Sequence, residues 1–364
     1  MSKPSASAPS IQILVLKGDG IGPEIMSATL EVLGTLGQFL GLNFALKHQD
    51  IGFSALKTQG TTMPKGVLDA AKAADAVILG PVSHDEYPPI DQGGVNPSGV
   101  LRKELDLYAN IRPARTRPYI PSPIRREFDL VIVRENTEGF YADRTMFAGT
   151  GEFMPTPDLA MAMRKVTAQG SRRIAISAFE LARQRRRKVT SVHKANVLRV
   201  SDGLFLTEVR KVAAEFADVA YDEKIVDAMT ALLIRNPAQF DVIVTTNMFG
   251  DILSDEAGEL SGSLGMAASL NAGSNHAVAQ AQHGSAPDIA GKGIANPVAL
   301  IGSVAMLLRW LGQRKSSPVL VQAGNSLEAA MENALANPQT RTRDLGGPLG
   351  TMAFAAAVAD FLRS

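Results

Sequence analysis

The chain contains no cysteine, which removes disulfide scaffolds, thiolate nucleophiles, zinc ribbons and iron–sulfur clusters together. There is one tryptophan and an aromatic content of 5%, and no aromatic residues interleave with the basic run RQRRRK (183–188) to stack nucleic-acid bases. Lys and Arg number 37 against 36 Asp and Glu, so no global field gathers nucleic acid or an anionic membrane. Any charge-driven function is local. No apolar run approaches the ~18 residues that a membrane span requires. Residues 1–10, MSKPSASAPS, have no apolar core and read as a disordered tail rather than a signal or transit peptide. A soluble cytoplasmic protein is the simplest expectation. What the chain does have is 364 residues, 45% of them hydrophobic, enough for about two domains.

Short apolar runs punctuated by turn residues recur along it: IQILVLKG (11–18), ADAVILGPV (74–82), FDLVIVREN (128–136), RRIAISA (172–178) and FDVIVTTN (240–247). These read as strands. Helical periodicity lies between them, in GPEIMSATLEVLGTLGQFLG (22–41), SDGLFLTEVRKVAAEFA (201–217), PVALIGSVAMLLRWLG (297–312) and GTMAFAAAVADFLR (350–363). Strands alternating with helices specify an α/β architecture with a largely parallel sheet. Proline-rich PARTRPYIPSPIRR (113–126) interrupts the rhythm and marks a domain crossing, with a return near Gly262–Leu264. The expected division is a discontinuous domain, 11–112 with 263–364, and a continuous one, 113–262.

Four stretches carry chemistry. Gly18, Gly20 and Gly22 read G-x-G-x-G, with the third glycine one position early for the dinucleotide fingerprint. Either a tight strand-to-helix turn or a pyrophosphate cradle accounts for it. Arg102, Arg112 and Arg134 stand at strand and loop ends with Asn96 and Ser98 nearby, and guanidinium forks there suit a small polyanionic substrate. In TNMFGDILSDEAGE (246–259), Asp251 and Asp255 are four apart and share one helix face. They form either a solvated acidic face or an oxygen-only site for Mg²⁺ or Mn²⁺. HGSAPDIAGKGIANP (283–297) carries His283, Asp288 and Asn296 among small residues. It is a plain loop or one that wraps a nucleotide, where Asp288 accepts from a ribose 2′-hydroxyl and repels a 2′-phosphate. The basic run RQRRRK (183–188) closes a helical pattern and reads as a solvated face.

In order, GDGIGPEI (18–25), LRKELDLYANIRP (101–113), VRENTEGFY (133–141), HKANVL (193–198), FGDILSDEA (249–257) and HGSAPDIAGKGIANP (283–297) resemble the β-decarboxylating dehydrogenases of isocitrate, homoisocitrate and 3-isopropylmalate. The resemblance implies a two-domain fold of that family, distinct from the Rossmann fold. It implies substrate-carboxylate binding by Arg102, Arg112 and Arg134, with Asn96 and Ser98 beside the 3-substituent. It implies Mg²⁺ or Mn²⁺ ligation by Asp227, Asp251 and Asp255, with Lys194 as catalytic base and Tyr141 as acid. NAD is expected at His283, Gly284, Ser285, Ala286, Asp288, Ile289 and Asn296, with Asn196 near the nicotinamide. Family members are homodimers whose lysine and third aspartate enter the partner's site.

The implied reaction is NAD-dependent oxidative decarboxylation of a 3-substituted (2R)-malate, a di- or tricarboxylate. Three departures stand out. AQAQHGS (279–285) replaces a common Glu-Pro-Val-His, KIVDAM (224–229) lacks an asparagine after Asp227, and Asn96 and Ser98 appear in unusual order. Their polarity favours an isocitrate- or homoisocitrate-like substrate over 3-isopropylmalate, with D-malate or tartrate as further alternatives. A Mg²⁺-dependent nucleotide-binding protein without dehydrogenase activity is the reading of another class, but no G-x-x-x-x-G-K-[ST] cradle is present.

Overall fold

The computed structural model describes residues 10–140 and 151–363. They fall into two units, one running to Ser98 and resuming at Ala277, the other Gly99–His276. The first begins with β1 (Ile11–Leu16), α1 (Gly22–Leu40), β2 (Phe44–Gln49), α2 (Gly52–Gln59), α3 (Lys65–Ala73) and β3 (Ala76–Leu79). Helix α4 (Pro97–Glu104) leads into β4 (Ala109–Arg115), β5 (Asp129–Glu135), the hairpin β6 (Glu152–Thr156) and β7 (Leu159–Ala162), and α5 (Ala168–Arg183). Next come β8 (Lys188–His193), α6 (Ser201–Glu215), β9 (Ala220–Ile225), α7 (Val226–Arg235), β10 (Val242–Thr245), α8 (Asn247–Leu260) and β11 (Ala268–Ala272). The chain returns with β12 (Ala277–Ala281), α9 (Val298–Arg314), α10 (Pro318–Ala336) and α11 (Thr351–Arg363).

In the first unit the strand order is β2-β1-β3-β12, with every neighbouring pair parallel. Helix α9 is buried without a break from Val298 through Ala305, as an all-round apolar stretch of helix must be. In the second unit the order is β11-β4-β5-β10-β8-β9. Its pairs are parallel except where β4 meets β11 and β5.

Strand β5 shows why this sheet is covered on both faces. Val131 and Val133 enter a core with Phe179 of α5 and Phe205 of α6. Leu130 and Ile132 enter another with Met229 of α7 and Leu253 of α8. Period-two alternation with apolar residues on both sides is the signature of a sheet sandwiched by helices. Because α8 buries Phe249, Leu253 and Ala257, the helical repeat turns Asp251 and Asp255 to another side.

Two expectations differ from what is found. RRIAISA (172–178) is not a strand but the middle of α5. Its Ile174, Ala175, Ala178, Phe179 and Ala182 are buried at helical spacing, and Thr167 caps the helix by accepting from the Gly170 N–H. A short apolar run cannot by itself declare its period. The units also divide at Ser98 and Ala277 rather than near 112 and 262. The start of the proline-rich stretch belongs to β4, which pairs from Ala109 to Arg115 with β5, while β11 pairs with β4. Strand pairing, not proline content, decides membership.

Candidate active site

Arg112 leaves β4 and Arg134 leaves β5 at adjoining positions of an antiparallel pair, and α8 lies across both strands. Their side chains are only 6% and 3% exposed. Arg112 donates to Asp251 Oδ1 at 3.0 Å and to Ser254 Oγ at 2.7 Å, and lies 3.5 Å from Asp255. Arg134 donates to the same Asp251 oxygen. Burial pushes the Asp251 carboxyl up, but the charges of Arg134, Arg112 and Arg102 outweigh it and hold the group below the usual carboxylate range. The helix carries a glycine at this crossing because a Cβ on Gly250 would sit 2.6 Å from Arg134 Cγ.

Four asparagines that sequence reasoning did not single out orient these arginines. Arg112 Nε donates to Asn110 Oδ1 at 2.7 Å, and Asn110 in turn donates to Asn271 at 2.6 Å. Asn136 also donates to Asn271, at 3.0 Å. Arg134 donates twice to Asn247 Oδ1, at 2.9 and 2.7 Å. Buried amides with several partners fix guanidinium planes without adding charge. Asn110 lies two residues from Arg112, but Asn247 and Asn271 reach the network from far along the chain, so only the folded contacts reveal it.

Lys194 follows β8 and donates to Asp227 of α7 at 2.5 Å, which lowers the Asp227 pKa. Its backbone N–H is held by Asp202 at 2.5 Å. Asp202 is fully buried and paired with Arg164, which also donates to Ser201 Oγ and Thr246 Oγ1 at 3.0 Å each. Thr246 immediately precedes α8. One buried ion pair thus ties the lysine-bearing turn to the start of the helix carrying Asp251 and Asp255. Next to it, burial pushes the His193 imidazole down, and Nδ1 accepts the Ala195 N–H at 3.0 Å.

Removing the carboxylate leaves Arg164 buried without its countercharge, so Asp202→Ala is expected to cost about 3–5 kcal/mol of stability. Urea unfolding reads this directly. A midpoint equal to that of the parent chain would show that the pair does not brace the turn.

Within one chain Asp227 does not join Asp251 and Asp255. Among the described residues no three His, Asp or Glu side chains are grouped as a metal would require. The two aspartates of α8 still suit a divalent cation: both are oxygen donors on one helix face, and Asp251 is kept ionised by its arginines. Tyr141 lies outside the described residues. Asn196 is exposed in the turn after Lys194.

In the first unit, Asn96 is half-buried just before α4, and Ser98 donates to Gln280 Oε1 at 3.0 Å. The AQAQ departure therefore supplies Ser98 with a neutral acceptor on β12, a partner the sequence reading missed. In the loop after β12, His283 Nδ1 is 2.9 Å from the Gly284 carbonyl, Ser285 is buried, and Ala286 and Ile289 are half-buried. Asp288 is exposed in the single turn Pro287–Ile289, where its carboxylate fits a hydroxyl donor. Asn296 is buried, donates to Asp344 at 2.9 Å and accepts the first N–H of α9 at 3.0 Å.

The basic run at 183–188 is ion-paired rather than simply solvated. Arg183 meets Asp218, Arg185 meets Asp129 and Asp241, and Lys188 meets Asp222.

The sequence profile of isocitrate/isopropylmalate dehydrogenases matches residues 12–359. The chain belongs to this family. The 3-isopropylmalate dehydrogenase of Methanothermobacter thermautotrophicus is 43% identical over 97% of the chain and 99% of its own length. The homoisocitrate dehydrogenase of Methanocaldococcus jannaschii is 39% identical, covering 97% and 98%. Among solved structures, the isocitrate dehydrogenase of Methylococcus capsulatus superimposes with a TM-score of 0.86 at 38% identity, covering 97% of this chain and all of that one. As an isocitrate/isopropylmalate dehydrogenase family member, the chain has that family's α/β fold with its large, mostly parallel sheet. It is accordingly an oxidoreductase of the decarboxylating dehydrogenase type. Among its described residues, no helix is long and apolar enough to cross a membrane.

Proposed function

We propose that this chain catalyses NAD⁺-dependent oxidative decarboxylation of a 3-substituted (2R)-malate, assisted by Mg²⁺ or Mn²⁺. The observation that carries this reading is the pair of buried guanidinium groups on β4 and β5 converging on one ionised carboxylate of α8. Such forks suit substrate carboxylates, and the adjoining Asp251 and Asp255 suit the cation. When bound, the cation supplies Lewis acidity toward the ketone oxygen that develops at C2, and the nicotinamide supplies the hydride acceptor.

The chain's own residues do the rest. Arg102, Arg112 and Arg134 fix the carboxylates and so orient the C2–H bond. Lys194 takes the hydroxyl proton, and Tyr141 returns a proton to carbon after CO₂ has left. Asp288 accepts from the adenosine 2′-hydroxyl, while Asn196, His283, Gly284, Ser285, Ala286, Ile289 and Asn296 complete the cofactor surface.

A homodimer with shared sites belongs to the same proposal. Lys194 and Asp227 stand together but apart from the α8 aspartates, and Asp227 of the partner subunit would complete the metal set. Every residue of the β6–β7 hairpin is exposed, including Phe153, Met154, Leu159 and Met161. A two-stranded hairpin is marginal alone. Val197 and Val200 after Lys194, and Ile252 beside Asp251, are also exposed. Apolar surface flanking catalytic groups suits a second copy of the chain.

For the 3-substituent, Asn96 and Ser98 favour a carboxylate-bearing group. The several relatives that are 3-isopropylmalate dehydrogenases support 3-isopropylmalate as a second reading. A panel of isocitrate, homoisocitrate, 3-isopropylmalate, D-malate and tartrate, each with NAD⁺ and NADP⁺ and followed as reduced-nicotinamide absorbance, tests both halves. The expected order places isocitrate or homoisocitrate above 3-isopropylmalate in kcat/KM. Losing the Asp288 hydrogen bond sets NAD⁺ above NADP⁺ by roughly tenfold to a hundredfold. A best rate with 3-isopropylmalate overturns the polar-substituent half, and NADP⁺ preference overturns the cofactor half.

A further inference from the structure

The Gly18–Glu24 turn has no part in the chemistry above, although its glycines invite comparison with a phosphate cradle. The space those glycines open is filled by protein. A Cβ at Gly20 would lie 2.0 Å from the Ser285 carbonyl oxygen, and one at Gly18 would lie 2.1 Å from that of Pro81. Close approach of backbone to backbone is what glycine allows here.

At Gly20 what approaches is the loop after β12, and the segment Asp19–Glu24, with Ser83, grips that loop at both ends. At the near end the Ile21 N–H donates to the Ser285 carbonyl at 2.8 Å. The Ser83 and Ser285 hydroxyls are 2.6 Å apart. Asp19, itself buried, accepts the Ser83 N–H at 3.1 Å, the Phe53 N–H at 2.8 Å and the Tyr87 hydroxyl. At the far end the two carboxylate oxygens of Glu24 accept the Gly293 and Ala295 N–H groups, each at 3.2 Å.

Between these grips the loop is presented outward: Pro287, Asp288, Gly291 and Lys292 are exposed. Directly after the pinned Ser285, Ala286 sits in left-handed backbone at φ 40° and ψ 63°. A residue with a side chain holds that conformation only when its surroundings impose it.

We propose that Glu24 and the Asp19–Ser83 pair are positioning residues that hold loop 284–296 in the shape that accepts the dinucleotide. Fixing both ends and leaving the middle open removes ordering entropy from cofactor binding. The proposal rests on the reading of this loop as the NAD⁺ surface. It also gives the G-D-G-I-G-P-E motif a role, that of bracing a phosphate- and ribose-facing loop instead of cradling phosphate itself.

The test uses purified full-length enzyme and the variants Glu24→Ala, Glu24→Gln, Ser83→Ala and Ser83→Thr. Backbone hydrogen–deuterium exchange of loop 284–296 is measured without cofactor, and steady-state constants are measured with it. Loss of two charge-assisted bonds in Glu24→Ala is expected to speed loop exchange roughly tenfold and to raise the NAD⁺ KM by about as much. At saturating NAD⁺, kcat and the hydroxy-acid KM stay within about twofold, because the arginine and lysine groups are untouched. Glu24→Gln falls between, since one amide oxygen replaces two acceptors. Ser83→Ala loosens the near end, and Ser83→Thr, which keeps the hydroxyl, restores it.

Unchanged loop exchange in both alanine variants overturns the proposal at its geometry. Faster exchange with an unchanged NAD⁺ KM overturns it through the cofactor reading while the grips stand. A matched fall in kcat, both KM terms and melting temperature overturns it in favour of a merely structural role.

Discussion

Lys194→Ala and Arg112→Ala chains, each inactive alone, are expected to regain activity when mixed under conditions that exchange subunits. The geometry sets this up. Lys194, in the turn after β8, is bonded to Asp227 of α7, whereas Arg112 of β4 is bonded to Asp251 of α8. Within one chain these pairs form no common three-carboxylate site among the described residues.

If the partner subunit's lysine completes each site, a mixed dimer holds one site with both groups intact and one lacking both. Random pairing in a two-fold dimer makes half the dimers mixed, so recovery of roughly a quarter of the parent rate is expected. Two variants in the same set, Arg112→Ala and Arg134→Ala, should not complement, because both arginines serve one carboxylate of their own chain. Mixed dimers that form, as native mass spectrometry can show, yet stay inactive would sink the shared arrangement.

The fold was legible in the sequence wherever period and length agreed. The runs at β1, β3, β5 and β10 are β-rich and end in turn residues, and α1, α6, α9 and α11 carry sustained helical periodicity. RRIAISA misled because its seven residues fit either period, and only the Thr167 cap and the alanines further along place it inside α5. The unit boundary misled for another reason. Proline content reports local stiffness, whereas membership of β4 follows from a pairing partner some twenty residues away.

At the site, ionisable groups were visible because their types and spacing carry chemistry. Their supports were not. Asn110, Asn136, Asn247 and Asn271 come from four separate segments, and nothing in any one of them announces a shared network. Asp202 has the same character: eight residues beyond Lys194 it looks like the first acid of a helix, yet it is fully buried against Arg164. The glycine motif is the converse case. Its residues were noticed at once, but their partners, Ser285, Gly293 and Ala295, sit far along the chain.

Exhaustive chelation is expected to abolish turnover, and Mn²⁺ or Mg²⁺ to restore it. On α8, Asp251 and Asp255 are four apart on one face, an arrangement of like charges that is unfavourable on a bare helix. Arg112 lies within 4 Å of both, and Arg134 reaches Asp251, so guanidinium charge offsets the repulsion between the two carboxylates. This leaves two carboxylate oxygen donors ready for a hard cation, and the absence of cysteine argues against a soft one.

The same binding can be followed without any reaction. A cation that binds only the folded enzyme adds about 2.7 kcal/mol of stability at a hundredfold excess over its Kd, so Mg²⁺ should raise the melting temperature of the parent chain. Asp255→Asn keeps the size of the side chain but removes half of the carboxylate pair's charge, and the shift should shrink sharply. Full turnover after chelation would remove the metal from the mechanism. Loss of turnover with no cation-dependent melting shift in the parent would instead place the metal's effect outside Asp251 and Asp255.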